Sequence, residues 1–102
     1  MATTSKTLFR GAATTNTATV LYTCTSPVTT TVITNVVVTN TAGSSGTFTL
    51  AFAGTNFATT VTVAALDAVV IDLKQPLVPS QTITGGASAT TINFHIAGVE
   101  IS

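Results

Sequence analysis

Charge is what this chain has least of. Its charged residues are Lys6, Arg10, Asp67, Asp72, Lys74 and Glu100, six of 102, where soluble domains carry about a quarter. Three scattered basic residues cannot form the clustered Lys/Arg surface that holds a phosphate backbone, so nucleic acid is excluded as a partner. The formal net charge of zero also removes the repulsion that keeps proteins apart, which points to association.

The reactive residue types are nearly as scarce. Cys24 is the only cysteine. It cannot staple its own chain or supply a metal site alone, and it reads as a small apolar filler on a strand. His95 is the only histidine, and its alternation with Asn93 and Ala97 turns it away from the apolar side, toward solvent or an interface. Glu100, between Val99 and Ile101, reads as exposed. A carboxylate pair of the glycosidase kind would need a sugar cleft, and the chain has no Trp and one Tyr. No loop gathers the carboxylates that calcium wants. Gly43 to Gly46 and Gly85-Gly86 lack the lysine and helix of a phosphate cradle and read as turns. No enzyme and no cofactor is expected.

Long apolar runs are missing too. Val32 to Val38 and Ala64 to Leu73 are interrupted and too short to span a membrane. Met1 to Asn16 has no apolar stretch of the secretory kind. The chain is expected to be made in the cytosol as one domain, residues 1–102, with residues 1–6 as an extended N-terminal segment.

What is present is threonine, 25 residues of it. Threonine is β-branched, favours extended backbone and can face either core or water. Period-two alternation dominates, and no stretch has helical spacing. Strands are predicted over Thr7–Arg10, Thr17–Thr23 (Val20 and Tyr22 on one face), Thr30–Asn40 (Val32, Thr34, Val36 and Val38 on one face), Thr47–Ala53, Thr59–Val63, Ala68–Leu73, Gln81–Thr84 and Thr90–Ile101. Ser26-Pro27, Thr41 to Gly46, Gly54 to Asn56, Pro76, Pro79 and Gly85-Gly86 punctuate them. The apolar phase changes after Gly98, which predicts a bulge near Ala97-Gly98.

Seven or eight such strands, with turn signals every 8 to 12 residues or so, predict an all-β, antiparallel two-sheet sandwich, jelly-roll or immunoglobulin-like. Its core would hold Phe48, Leu50, Phe52, Val69, Ile71, Leu73, Ile92, Phe94 and Ile96. The immunoglobulin cysteine pair and tryptophan are absent. Val32 to Asn40 has no charge and no proline, and such a strand is safe only if it lies centrally or is covered. Thr-x-Thr occurs at Thr47–Thr49, Thr60–Thr62 and Thr82–Thr84. Ice-binding arrays of that kind rest on regular repeats, which this chain lacks, so the threonines read as strand residues.

The segments Thr34-Asn35-Val36-Val37-Val38-Thr39-Asn40, Val70-Ile71-Asp72-Leu73-Lys74 and Asn93 to Ile101 resemble those of small Thr/Ala/Val-rich virion proteins of tailed bacteriophages, especially phages of actinobacteria. Leu8-Phe9-Arg10-Gly11-Ala12 and Gln81-Thr82-Ile83-Thr84-Gly85 fit the same picture. The resemblance implies a β-sandwich on the virion, decorating the head or sitting in the tail, and it transfers no catalytic residue.

The expectation is a capsid decoration or cementing protein in many copies, bound to the major capsid protein or other virion proteins. It would also self-associate, a trimer at capsid three-fold positions being one arrangement. The alternative is a tail, baseplate or fibre module that binds a host surface glycan or another tail protein. The expected contact residues are Thr3, Thr4, Lys6 and Arg10 in the N-terminal segment, and Gly43, Ser44, Ser45 and Gly46 in the loop, because termini and loops commonly carry binding.

Overall fold

The alternation folds as strands throughout. The structure, a computed structural model, describes residues 3–25 and 28–102, so the break expected at Ser26-Pro27 lies outside the described residues, as do the first two residues of the N-terminal segment. Eight strands follow in chain order: β1 Thr3–Ala12, β2 Val20–Thr23, β3 Thr30–Asn40, β4 Gly46–Phe52, β5 Thr55–Val63, β6 Ala68–Leu77, β7 Thr82–Ala87 and β8 Ile92–Ile101. They form two four-stranded sheets, ordered β1-β8-β3-β6 and β2-β7-β4-β5.

Sequence alone left the connection order open between jelly-roll and immunoglobulin-like. The pairing resolves it. β1 pairs β8, β2 pairs β7, β3 pairs β6 and β4 pairs β5, all antiparallel. This is one long antiparallel ribbon folded at the β4–β5 turn. Wrapping that ribbon adds the β3–β8 and β4–β7 pairings and divides it into two sheets, which is the jelly roll. The turn at its centre is Ala53-Gly54, both at positive φ (52° and 80°), matching the two-residue hairpin geometry that follows strand twist.

Between the sheets lies one apolar core. Phe48, Leu50, Ile92, Phe94 and Ile96 are at most 1% exposed, and the Phe48 and Phe94 rings meet edge-to-face across the two sheets at 6.0 Å. Phe52 is buried as well, and Val69, Ile71 and Leu73 pack against this cluster from the edge strand β6. β3, the strand with the aggregation-prone sequence, is flanked on both sides by β8 and β6.

Several local expectations need correction. In β3 the buried residues are Thr31, Ile33, Val36, Val38 and Asn40, so Val32 faces outward. The register slips between Ile33 and Asn35 against both neighbours, and Thr34 is the extra residue against β8. β1 slips likewise between Thr7 and Phe9, with Leu8 extra. The irregularity expected at Ala97-Gly98 is therefore carried by the strands on either side of β8. Gly98 sits between the two bulges, where a Cβ would stand 2.5 Å from the Val32 carbonyl oxygen and 2.8 Å from Leu8.

Gly85-Gly86 was expected to close a strand and instead lies within β7. Cβ atoms there would meet Leu50 and the Thr49 carbonyl on one side, and the Thr14 and Asn16 carbonyls on the other. These glycines mark close backbone approach rather than a turn. β6 runs on through Pro76, which an edge strand tolerates because one side of its backbone has no ladder to complete. In β2 the register shifts between Val20 and Tyr22, so Val20 turns outward and Tyr22 inward. β1 begins at Thr3, and Thr3 to Lys6 pair with Gly98 to Ile101, so that part of the N-terminal segment is strand.

Candidate interaction faces

One polar cluster interrupts the core, at the end of the sandwich where β1 begins and β8 finishes. Glu100 is not exposed as expected. Its pairing with Thr31, a fully buried residue, places it on the inner face, and its side chain is 16% exposed. The Tyr22 hydroxyl donates to Glu100 Oε2 at 2.5 Å. A phenol has one hydrogen, so Thr31 supplies the hydrogen for its 2.8 Å contact with Tyr22. The Thr31 hydroxyl also lies 3.3 Å from Cys24 Sγ, and Lys6 Nζ reaches both Glu100 oxygens at 3.4 Å.

Desolvation and the Glu100 hydrogen bond push the Tyr22 hydroxyl up to about 12. It therefore stays a proton donor at neutral pH and ties the edge strand β2 to the opposite sheet. Cys24 is a buried free thiol seated in that tie. Among the described residues no three His, Cys, Asp or Glu side chains gather where a metal ion could sit.

At the opposite end, Asn40 does the equivalent work for the loops. It is 3% exposed, donates to the carbonyls of Ser44, Val63 and Ala64, and accepts from Ala42 N–H. A buried side-chain amide satisfied by two chain segments fixes the β3–β4 loop to the end of β5 and the start of the β5–β6 loop. Composition and alternation gave no hint of this role, because asparagine at a strand end reads as a turn residue.

The outer faces of the two sheets differ sharply. In the second sheet the centres of the three Thr-x-Thr segments, Phe48, Val61 and Ile83, turn inward. Thr47, Thr49, Thr62, Thr82 and Thr84 therefore face out, joined by Ala51, Asn56, Thr23 and Val20 through cross-strand pairs. No charged residue lies on β2, β4, β5 or β7. The array is not flat: β5 breaks register twice against β4, and Thr60 sits at a φ of 51°.

Every strand-borne charge is on the first sheet. Its outer face reads across the strands in rows: Arg10, His95, Val37, Val70; then Thr7, Ala97, Asn35, Asp72; then Ser5, Val99, Val32, Pro76. The centre is apolar or neutral, and Val70 is 62% exposed. Arg10 and Asp72 stand on opposite edges. His95 is on this outer face, half-buried between Arg10 and Val37. A depression of about 510 Å³ opens where the β3–β6 ladder is broken, lined by Thr34, Asp72, Leu73 and Lys74.

The expected contact residues do not come together. Thr3, Thr4, Lys6 and Arg10 lie along the edge strand β1, whereas Gly43, Ser44 and Ser45 are in the exposed β3–β4 loop, at the end of the sandwich opposite Thr3 and Thr4. Gly46 is half-buried at the start of β4, against Ile92 and Ser88. Comparison with known protein families and with curated proteins finds no match. Among the described residues no helix is long and apolar enough to cross a membrane.

Proposed function

We propose that the chain is a non-enzymatic structural protein of a tailed-phage virion, a head-decorating subunit that attaches through the outer face of its second sheet to the major capsid protein or a neighbouring virion protein. The observation that carries this reading is the distribution of charge. A face paved with threonine and free of ionised groups can be covered by another protein without stranding a charge. Its hydroxyls both donate and accept, so they adapt to a polar partner surface. Apolar atoms buried there contribute roughly 25 cal/mol per Å². Jelly rolls recur in viral capsid and lectin domains, which supports the reading by analogy of fold, alongside the resemblance of the β3, β6 and β8 sequences to virion proteins.

A tail or fibre module binding a host glycan is the second reading. The depression beside Asp72 and Lys74 favours it, since it offers a carboxylate, an ammonium and a hydroxyl around Leu73. Copy number separates the two. Densitometry of purified virions is expected to give hundreds of copies per particle for the head and a handful for a tail tip. Co-sedimentation with heads lacking the protein should be saturable, and Thr49→Lys with Thr84→Lys should abolish it while the fold is kept. Absence of the chain from virions by mass spectrometry, or binding unaffected by those substitutions, would overturn the proposal.

A further inference from the structure

We propose that the outer face of the first sheet is a two-fold interface between two copies of this chain, with Arg10 of each copy lying against Asp72 of the other. This pairing is separate from attachment through the second sheet. Edge-to-edge association is already discouraged. β2 has four residues, β5 breaks register twice, β6 carries Pro76 and a break, and β1 carries Lys6, Arg10 and the Leu8 bulge. Bulges, charges, proline and short edges are the devices that stop strand addition. Self-association of this chain must then use faces.

The first sheet has the composition of an interface. Val32, Val37, Ala97 and Val99 occupy the middle of its outer face on β8 and β3, Val70 lies on the edge strand β6, and charge is confined to the edge strands. An apolar centre with a polar rim is the usual anatomy. Four strands of ten or eleven residues make a flat area of about 650 Å² from strand rise and spacing. Side-chain relief adds to that, bringing it near the ~800 Å² per partner of a standard interface.

Charge fixes the occupant as a second copy. A two-fold axis parallel to the strands, between β8 and β3, exchanges β1 with β6. It lays Val99 over Val32 and His95 over Val37, and it brings Arg10 above Val70. Asp72 is one pleat repeat along, about 7 Å, within an arginine's reach. Twist allows such aligned packing at about 30°. Arg10 has no carboxylate partner among the described residues, its side chain meeting only Thr7 Oγ1 at 3.5 Å. Among the described residues Asp72 accepts a single hydrogen bond, from Asn35 at 3.3 Å. An isologous contact makes the pair twice.

Sedimentation equilibrium of the purified chain from about 1 nM to 500 μM, because interfaces of this size dissociate anywhere from the micromolar range downward, tests the proposal. A monomer–dimer equilibrium is expected. Arg10→Asp and Asp72→Arg should each weaken it about tenfold, and the double exchange should restore it to within about threefold. Val70→Asp should weaken it by more than about tenfold, while Thr62→Lys on the second sheet leaves it unchanged. Circular dichroism confirms that each variant is folded; if Val70→Asp is not, the Arg10/Asp72 exchange at exposed positions decides. A monomer at every concentration, a trimer, no recovery in the double exchange, or disruption by Thr62→Lys would each overturn it. Attachment to particles is read separately, so either proposal can fail alone.

Discussion

The two sheets share a core but present different outer faces. Both contribute aromatic and branched side chains inward, and Phe48 of the second sheet meets Phe94 of the first. Outward, the first sheet shows valines framed by Arg10 and Asp72, and the second shows threonine and no charge at all. Threonine makes this asymmetry possible. It keeps a strand extended wherever it points, so a sheet face can be emptied of charge without losing its strands. The lesson is that inner rows set the fold and outer rows set what the fold can meet.

The largest effect should come from breaking what the sheets have in common. Phe94→Ala and Phe48→Ala should each lower stability by about 3–5 kcal/mol, measured by urea unfolding. Because the rings touch, the double variant should cost less than the two single losses added together. Additive losses would mean that each sheet packs independently of the other, and the picture of one shared core would fail.

A smaller effect probes the tie between the sheets. Tyr22→Phe removes a charge-assisted hydrogen bond and should cost about 1–2 kcal/mol. The pH dependence is more telling. The folded state raises the Tyr22 hydroxyl from 10.0 to about 12, so folding favours the protonated phenol. That contribution is complete below pH 10 and is lost as pH climbs toward 12, because the unfolded chain releases the proton first. Wild-type stability should therefore fall across pH 10–12, and Tyr22→Phe should fall less. Parallel profiles would show that the phenol does not link β2 to the first sheet.

Where period two ran unbroken, sequence reading succeeded: Phe48, Leu50, Phe52, Ile92, Phe94 and Ile96 are all core. It went astray wherever a neighbouring backbone intervened. Val32 looked inward because nothing in Val32–Val38 announces that Thr34 is an extra residue; the slip is imposed by pairing with β8 and β6 at once. Gly85 and Gly86 looked like a turn because a missing side chain reads the same whether the chain bends or another strand presses close. Glu100 looked exposed because its partners, Tyr22, Thr31 and Lys6, are 69 or more residues away in sequence. The charge-free outer face was legible only as scarcity of charge. Which sheet lacked it depended on connection order, and alternation does not encode that.

The smallest predicted effect bears most directly on why the charges are segregated. The Lys6–Glu100 pair is 3.4 Å apart, with Lys6 half exposed, and Asp72 is on the surface. Exposed ion pairs are worth under about 1 kcal/mol. Lys6→Met and Asp72→Asn should each change unfolding free energy by less than about 1 kcal/mol, read from urea midpoints at unchanged slope. If so, the fold is indifferent to charge on the first sheet, and folding stability cannot be the reason the second sheet has none. A loss of about 3 kcal/mol from either substitution, the scale of a buried pair, would make the segregation a requirement of folding. With a small loss, the asymmetry is left to the contacts proposed for each face.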